Sequence, residues 1–154
     1  WVAEKFGLKR IREGEWRFIF HFLSRMETPK KHKILMIEDD VFLIKLYRDQ
    51  LTREGFEFIT ATTGVEGLNK VTADHPELIL LDLILPRKNG FDVLRDIKSN
   101  PATKHIPILI LSNLAQEQDI QEGLALGAQD YLVKTDMRLS EIIEKIKSTI
   151  NKTK

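Results

Sequence analysis

An acidic residue inside an apolar run is the first feature of this chain that could do chemistry. Asp82 interrupts the run at residues 78–86, which otherwise holds only leucine and isoleucine before its final Pro86. A short continuous apolar run is typical of a strand buried on both faces, where an unpaired carboxylate is costly. Because Pro86 ends the segment, Asp82 lies near the carboxyl end of the strand, where open parallel α/β sheets bind ligands.

Polar side chains follow three other short apolar runs in the same way: Glu38 and Asp39 after residues 34–37, Ser112 after residues 106–111, and Lys134 after residues 131–133. Since the carboxyl ends of parallel strands share one edge of a sheet, we expect all these groups to meet Asp82 in one crevice. Two carboxylates about 4 Å apart repel by about 4 kcal/mol at an effective dielectric constant of about 20, and one lysine does not balance three of them. A divalent cation with oxygen ligands, such as Mg²⁺, resolves this repulsion. A carboxylate beside Mg²⁺ and a lysine can attack a phosphoryl group and form an aspartyl-phosphate.

The elements that position these groups alternate strictly between strand and helix. We predict strands at residues 34–37, 56–61, 78–86, 106–111 and 131–133, and helices at residues 41–54, 62–74, 91–99, 116–126 and 139–150. Asn89-Gly90 is a pair common in hairpins, but a helical period follows it, which indicates a strand-to-helix connection. The alternation predicts an α/β fold, a five-stranded parallel sheet with helices on both faces and right-handed crossovers.

Length, charge and composition limit the classes of function. The 154 residues are enough for one domain with a proper core. The absence of cysteine excludes disulfides, thiolate metal sites and thiol nucleophiles, and fits a cytoplasmic location. Residues 34–154 carry 15 basic and 19 acidic side chains, which argues against direct nucleic-acid binding. No apolar run reaches the roughly 20 residues that span a bilayer.

Residues 1–32 are interpreted as an N-terminal extension, and residues 33–154 as the domain. The extension carries much of the positive charge, with nine basic and four acidic residues up to Lys33. Its apolar residues keep no clean helical period, which favours a poorly ordered or non-native tail with Met26 as a candidate start. A short amphipathic helix that touches a partner or a membrane surface is the alternative.

Four motifs in this order resemble the motif set of bacterial response-regulator receiver domains: Ile37-Glu38-Asp39-Asp40, Leu80-Leu81-Asp82-Leu83-Ile84-Leu85-Pro86, Ile110-Leu111-Ser112-Asn113 and Tyr131-Leu132-Val133-Lys134. The resemblance covers about residues 33–152. It implies a (βα)5 flavodoxin-like fold with strand order 2-1-3-4-5, as in the single-domain chemotaxis response regulator.

The resemblance also implies a role for each matching residue. Asp82 would be the phosphoacceptor, and Lys134 would contact the phosphoryl group. Asp39 would bind Mg²⁺ directly, Glu38 would bind it partly through water, and the backbone carbonyl of Ile84 would complete the protein ligands together with Asp82. The switch residues would be Ser112, whose hydroxyl turns toward the phosphoryl group, and Tyr131, which swings inward with it.

The partners that the resemblance implies are proteins. A sensor histidine kinase would be the phosphodonor. The fourth helix, fifth strand and fifth helix would present a changed face to a downstream protein, with a phosphorylation-linked dimer as a further state. No output domain follows in the given chain, so we expect regulation by contact.

Three departures from the family pattern alter these expectations. Thr135 stands where the family usually has proline after a cis peptide bond, and we predict a trans bond there or a locally altered loop. Asn113 is bulkier than the small residue usual beside the switch serine. Ile84 and Leu114 are apolar at positions that influence hydrolysis in the family, which predicts slow loss of the phosphoryl group.

Some of these residues also fit a structural role or a different class of function. Asp40 is expected to cap the first helix rather than to join the site. The four histidines have no metal-ligand spacing and are expected at the surface. A haloacid-dehalogenase-type phosphatase would need an acid at Ile84, and a flavodoxin-like cofactor site would not place Glu38-Asp39-Asp40 against a phosphate. A receiver-like module that binds partners without phosphorylation stays open as the alternative function.

Overall fold

The computed structural model describes residues 31–152 together with Arg17, Ile19 and His21. Those three residues have helical backbone, and the rest of the predicted extension up to residue 30 lies outside the described residues. The chain divides into two units, residues 1–30 and residues 31–154, and every element below belongs to the second. In the described part of the chain, helices fall short of the length and apolar character that crossing a bilayer requires.

Strands and helices alternate along the second unit, as the sequence predicts. Their bounds are β1 Lys33–Ile37, α1 Val41–Arg53, β2 Glu57–Ala61, α2 Gly64–Asp74, β3 Leu78–Leu81, α3 Gly90–Ser99, β4 Ile108–Ser112, α4 Glu117–Ala125, β5 Asp130–Val133 and α5 Leu139–Lys152. The predicted bounds differ from these by one or two residues at most ends, as is usual for element termini.

The five strands form one parallel sheet in the order β2-β1-β3-β4-β5. The predicted fold class and strand order are therefore confirmed. β1 pairs with β2 on one side and with β3 on the other, so that Ile37 lies beside both Ala61 and Leu81. This order places the ends of β1 and β3, which carry Glu38 and Asp82, next to each other.

Alternate side chains of each strand enter two apolar clusters on opposite faces of the sheet. On one face, Leu35 and Ile37 of β1 pack with residues of α2 and α3 such as Val71 and Leu94. On the other face, the neighbouring side chains of β1 pack with residues of α1 and α5, such as Leu51 and Ile146. Burial on both faces explains why the central strands read as unbroken apolar runs.

Side-chain caps fix where the first helices begin. The Asp40 side chain accepts hydrogen bonds from Phe42 N at 2.8 Å and Leu43 N at 3.2 Å, which confirms its predicted capping role. The Thr63 side chain caps α2 by accepting from Glu66 N at 3.1 Å. Gly55 follows α1 with φ of 89°, the left-handed conformation for which glycine is favoured after a helix.

The run at residues 78–86 is not one strand, which corrects the sequence prediction. β3 ends at Leu81, and Asp82 stands one residue beyond it. Asp82 Oδ1 accepts a hydrogen bond from Ile84 N at 3.3 Å, a local turn that takes the chain out of the ladder. Asn89 caps α3 by accepting from Phe91 N at 2.8 Å, so Asn89-Gly90 is a strand-to-helix connection as predicted.

Candidate functional site

Asp82 is held at the carboxyl edge of the sheet by its own backbone. Asp82 N donates to Ile37 O at 3.0 Å, which continues the ladder one residue past the end of β3. The residue is 7% exposed. A carboxylate that is this buried needs partners that offset its desolvation.

The other two predicted acids sit beside it with different exposure. Glu38 follows β1, is 1% exposed, and accepts a hydrogen bond at Oε1 from Asp40 N at 3.1 Å. Asp39 is exposed. One carboxylate oxygen from each of Glu38, Asp39 and Asp82 lies within 4.8 Å of the others. Three such oxygens suit a hard cation such as Mg²⁺, which prefers oxygen ligands.

Lys134 is the cation that the sheet itself brings to these acids. Its backbone N donates to Ser112 O at 2.9 Å, which fixes the end of β5 against the end of β4. Its Nζ donates to Glu38 Oε2 at 2.5 Å and to Asp82 Oδ2 at 3.2 Å. The Lys134 side chain is only 12% exposed, so both ion pairs are largely shielded from water.

Burial and charge change the proton affinities of this cluster. Burial raises the pKa of Glu38, and the hydrogen bond from Lys134 only partly offsets it. Burial alone would lower the pKa of Lys134, but the hydrogen bond to Glu38 and the charge of Asp82 outweigh it, so its pKa is raised. The structure therefore keeps the lysine charged beside the acids.

Ser112 is the last residue of β4, and Tyr131 lies within β5, where it pairs with Ile110. Ser112 is fully buried, and its Oγ accepts from Leu114 N at 3.3 Å. The Tyr131 hydroxyl donates to Leu114 O at 2.9 Å, and Tyr131 is 9% exposed. Burial, and then the charge of Asp119, raise the pKa of Tyr131. Both predicted switch residues thus contact the segment that links β4 to α4.

The remaining predicted positions are at the rim of the site. Ile84 is 57% exposed, and its backbone N donates a hydrogen bond to Asp82 Oδ1. The peptide bond between Lys134 and Thr135 is trans, as predicted.

Sequence reasoning missed two residues that shape the site. A Cβ on Gly90 would meet the backbone oxygen of Asp82 and lie 2.5 Å from Leu83 Cα, so only glycine fits against the loop that carries Asp82. Tyr47 of α1 lies buried behind the site, and burial followed by the charge of Glu38 raises its pKa to about 12. The helical period predicts that Tyr47 is buried, but it does not predict that Tyr47 lies near the charge of Glu38.

The chain has relatives of similar sequence among known proteins. It is 34% identical over 128 residues to the probable transcriptional regulator ycf27 of Cyanophora paradoxa, across 83% of this chain and 52% of that protein. The chain spans about half or less of the length of the curated relatives that it matches.

Solved structures share both the fold and part of the sequence. A CheY-like response regulator receiver domain protein from Methanospirillum hungatei superposes with a TM-score of 0.75 and 25% identity, across 80% of this chain and 97% of that one. The Mn²⁺-bound form of response regulator Rcp1 superposes with a TM-score of 0.66 and 29% identity, across 76% of this chain and 90% of that one.

The family model of the response regulator receiver domain matches residues 34–147, a span that contains β1 from Ile34 onward, the other four strands and every residue of the acidic site. The chain belongs to the response regulator receiver domain family, a regulatory family of two-component signalling.

Proposed function

We propose that this protein is a phosphorylation switch that accepts a phosphoryl group on Asp82 from a sensor histidine kinase. One observation carries the proposal. Lys134 Nζ lies 3.2 Å from Asp82 Oδ2, and the carboxylates of Glu38 and Asp39 lie beside them at the open edge of the sheet. A carboxylate between a lysine and two further acids has the environment of a metal-assisted nucleophile.

The acidic cluster is the proposed Mg²⁺ site, formed by Glu38, Asp39, Asp82 and the backbone carbonyl of Ile84. Its donors are all oxygen, which suits Mg²⁺, and the Mn²⁺-bound relative is a receiver structure that holds a divalent ion. The bound ion would neutralise charge on the transferring oxygens. Asp39, being exposed, is the acid best placed to reach an ion from solvent.

The transfer itself requires little of the protein beyond position and charge. An Asp82 carboxylate oxygen attacks the phosphorus of the phosphohistidine donor. The new O–P bond forms as the N–P bond breaks, and the donor imidazole leaves with the N–P electron pair and takes up a proton. Lys134 then pairs with a phosphoryl oxygen, which it can reach from its present position beside Asp82.

The signal would leave the site through Ser112 and Tyr131. Both contact Leu114 at the start of the segment that precedes α4. If the Ser112 hydroxyl turns to a phosphoryl oxygen, it releases Leu114 N, and the tyrosine hydroxyl must adjust with it. The α4–β5–α5 face, where Leu124 is 45% exposed, is the proposed surface for a downstream protein or for a phosphorylation-linked dimer.

Two further proposals concern the bounds of the domain and the location of the protein in the cell. We propose residues 33–154 as the receiver domain and residues 1–32 as an extension to it. A cytoplasmic location fits a chain without cysteine.

Intact mass after incubation with Mg²⁺ and acetyl phosphate tests the function. The parent should gain one phosphoryl group, and Asp82→Asn should gain none. Asp40→Asn is the matched control, because it removes an acid two residues from Glu38 while keeping a capping side chain, and it should gain the group as the parent does. A parent that binds Mg²⁺ but gains no phosphoryl group from any donor would overturn the proposal in favour of a phosphorylation-independent binding module.

A further inference from the structure

A cavity lies at the amino edge of the sheet, where β1, β3 and β4 begin, opposite the edge that carries the acidic site. Its volume is about 290 Å³. Its polar lining comes from His32, His75, His105 and Glu77, so three of the four histidines of the chain line one cavity. We call this cavity the histidine pocket.

The register of the sheet explains why residues so far apart in sequence meet there. Glu77 N donates to Lys33 O at 2.8 Å, which aligns the residues before β3 with those before β1. Ile79 N donates to Pro107 O at 3.0 Å, which aligns the residues before β4 in the same way. His32 and His105 therefore stand in corresponding positions two strands apart.

Ile150 of α5 lines the same pocket. It also belongs to the apolar cluster that α1 and α5 form with one face of the sheet.

One histidine is already held as a metal ligand would be. His32 Nδ1 is hydrogen-bonded to Glu77 Oε2, and this contact orients the ring. Histidines that bind metals commonly donate one ring nitrogen to a carboxylate, which leaves the other nitrogen as the ligand. Glu77 thus directs His32 toward binding through Nε2.

The end of α2 brings His75 to the same pocket. His75 follows α2 in the left-handed conformation, with φ of 47°. Glycine is the usual residue at this position of a helix end, and histidine is among the other residues that adopt the conformation more often than most. The His75 side chain is exposed and lines the pocket.

We propose that the histidine pocket binds a zinc ion through His32, His75 and His105, with Glu77 as the carboxylate that orients His32. Imidazole nitrogen is a preferred donor for Zn²⁺, and three protein ligands with an open fourth position form a known zinc geometry. Among the described residues, only the acidic cluster already brings three ligand atoms together. Binding at the histidine pocket therefore requires imidazoles to rotate. The exposed side chains of His75 and His105 have room to do so.

This site is separate from the phosphorylation site in chemistry and in place. The acidic cluster offers only oxygen donors at the carboxyl edge, whereas the histidine pocket offers nitrogen donors at the amino edge. Saturating Mg²⁺ should occupy the first and leave the second open, since Mg²⁺ prefers oxygen ligands.

Zinc titration of the full chain in saturating Mg²⁺ tests the proposal, with affinity read by competition against a coloured chelator. We expect one equivalent of zinc to bind. His105→Gln and His75→Gln should weaken binding at least tenfold, and Glu77→Gln should weaken it by about 10–100-fold, as loss of an orienting carboxylate does. His21→Gln supplies a matched histidine control that does not line the pocket, and Asp39→Asn supplies a control for the acidic cluster.

The zinc affinities of the pocket variants and of the two controls decide the proposal. Unchanged affinity in His21→Gln and Asp39→Asn, with loss in the pocket variants, supports the proposal. No bound zinc, or an affinity that depends on Asp39 or His21 instead, overturns it. Because His75 and His105 are exposed, their variants should fold, and circular dichroism of each variant confirms that any loss is local.

Discussion

Lys134 Nζ lies closer to Glu38 than to Asp82, at 2.5 Å from Glu38 Oε2 against 3.2 Å from Asp82 Oδ2. The lysine therefore compensates the most buried acid of the site while still contacting Asp82, the proposed phosphoacceptor. An ion or a phosphoryl group that enters the site changes how one positive charge is shared between two carboxylates.

Replacing Lys134 with methionine tests how far the acids depend on it. Without the ammonium, Glu38 and Asp82 are buried and uncompensated, so the Mg²⁺-free protein should lose about 3 kcal/mol of unfolding free energy. Mg²⁺ should stabilise the variant more than the parent, because it then supplies the positive charge that Lys134 gives in the parent. Urea unfolding with EDTA and with Mg²⁺ measures both effects.

The control for that variant is Lys147→Met. Lys147 pairs with Glu54 and Glu144 at the surface, where ion pairs contribute little, so we expect no measurable change. Equal stability of Lys134→Met and the parent in EDTA would contradict the account of the site given above.

Gly90→Ala should directly disturb the loop that carries Asp82, the proposed phosphoacceptor. The added methyl would press on the backbone of Asp82 and Leu83, which cannot move without shifting the carboxylate. We expect a loss of about 1–3 kcal/mol of stability, together with a slower gain of phosphoryl from acetyl phosphate. Urea unfolding and timed intact mass measure the two effects.

Gly67→Ala is the control that separates a loss of stability from a slower gain of the phosphoryl group. A Cβ at Gly67 would meet side-chain atoms of Ile37 rather than backbone. It should cost stability through overpacking while leaving the phosphorylation rate near that of the parent. Equal rates in both variants would show that the Asp82 loop tolerates the shift.

The phosphorylated protein should lose its phosphoryl group slowly. Ile84 and Leu114 cannot orient a water by hydrogen bonding with their side chains, and Ile84 is exposed beside Asp82. We expect a lifetime well beyond minutes, and a several-fold shorter lifetime in Ile84→Asn, whose amide can hold a water. Intact mass followed after removal of the donor gives both lifetimes, and a lifetime of seconds in the parent would refute the expectation.

Both tyrosines should resist ionisation. Burial raises the pKa of Tyr47 to about 12 and also raises the pKa of Tyr131. A raised pKa means that the folded state favours the neutral phenol, so this stability is present below pH 10 and is lost as pH rises toward 12. For Tyr47, a pKa of about 12 in place of 10 corresponds to roughly 3 kcal/mol of unfolding free energy.

Tyrosinate absorbance against pH measures this directly. The native protein should show little tyrosinate near pH 10, whereas the urea-unfolded chain should be about half ionised there. Tyr131→Phe isolates the transition of Tyr47. A native midpoint at pH 10 in that variant would contradict the buried environment described for Tyr47.

Much of this fold can be predicted from the sequence, because the polar residues that could do chemistry stand directly where apolar strands end. Apolar runs that stop at Glu38, Asp82 and Lys134 indicate both where the strands lie and which edge they share. Alternation of strands and helices predicts a parallel sheet, but it fits more than one strand order. The order came from the resemblance of the four motifs to a known family, and the structure confirms it.

Side-chain partners depend on tertiary distances that the sequence pattern does not contain. No pattern indicates that Lys134 lies closer to Glu38 than to Asp82, or that the Tyr131 hydroxyl donates to Leu114 O. Histidine spacing indicates no metal site, because His32, His75 and His105 come from three separate segments of the chain. A spacing rule finds ligands on one element and misses ligands gathered across a sheet.

The place of β1 between β2 and β3 also has a consequence for how the chain folds. β2 follows β1 closely and can cover one side of it early, whereas β3 arrives only after α2 has been made. Until then one side of β1 keeps unpaired N–H and C=O groups next to mostly apolar side chains, the kind of edge that pairs with other chains. A nascent or truncated chain that stops before Leu78 should therefore aggregate, and synthesis of β3 is the step that ends this risk.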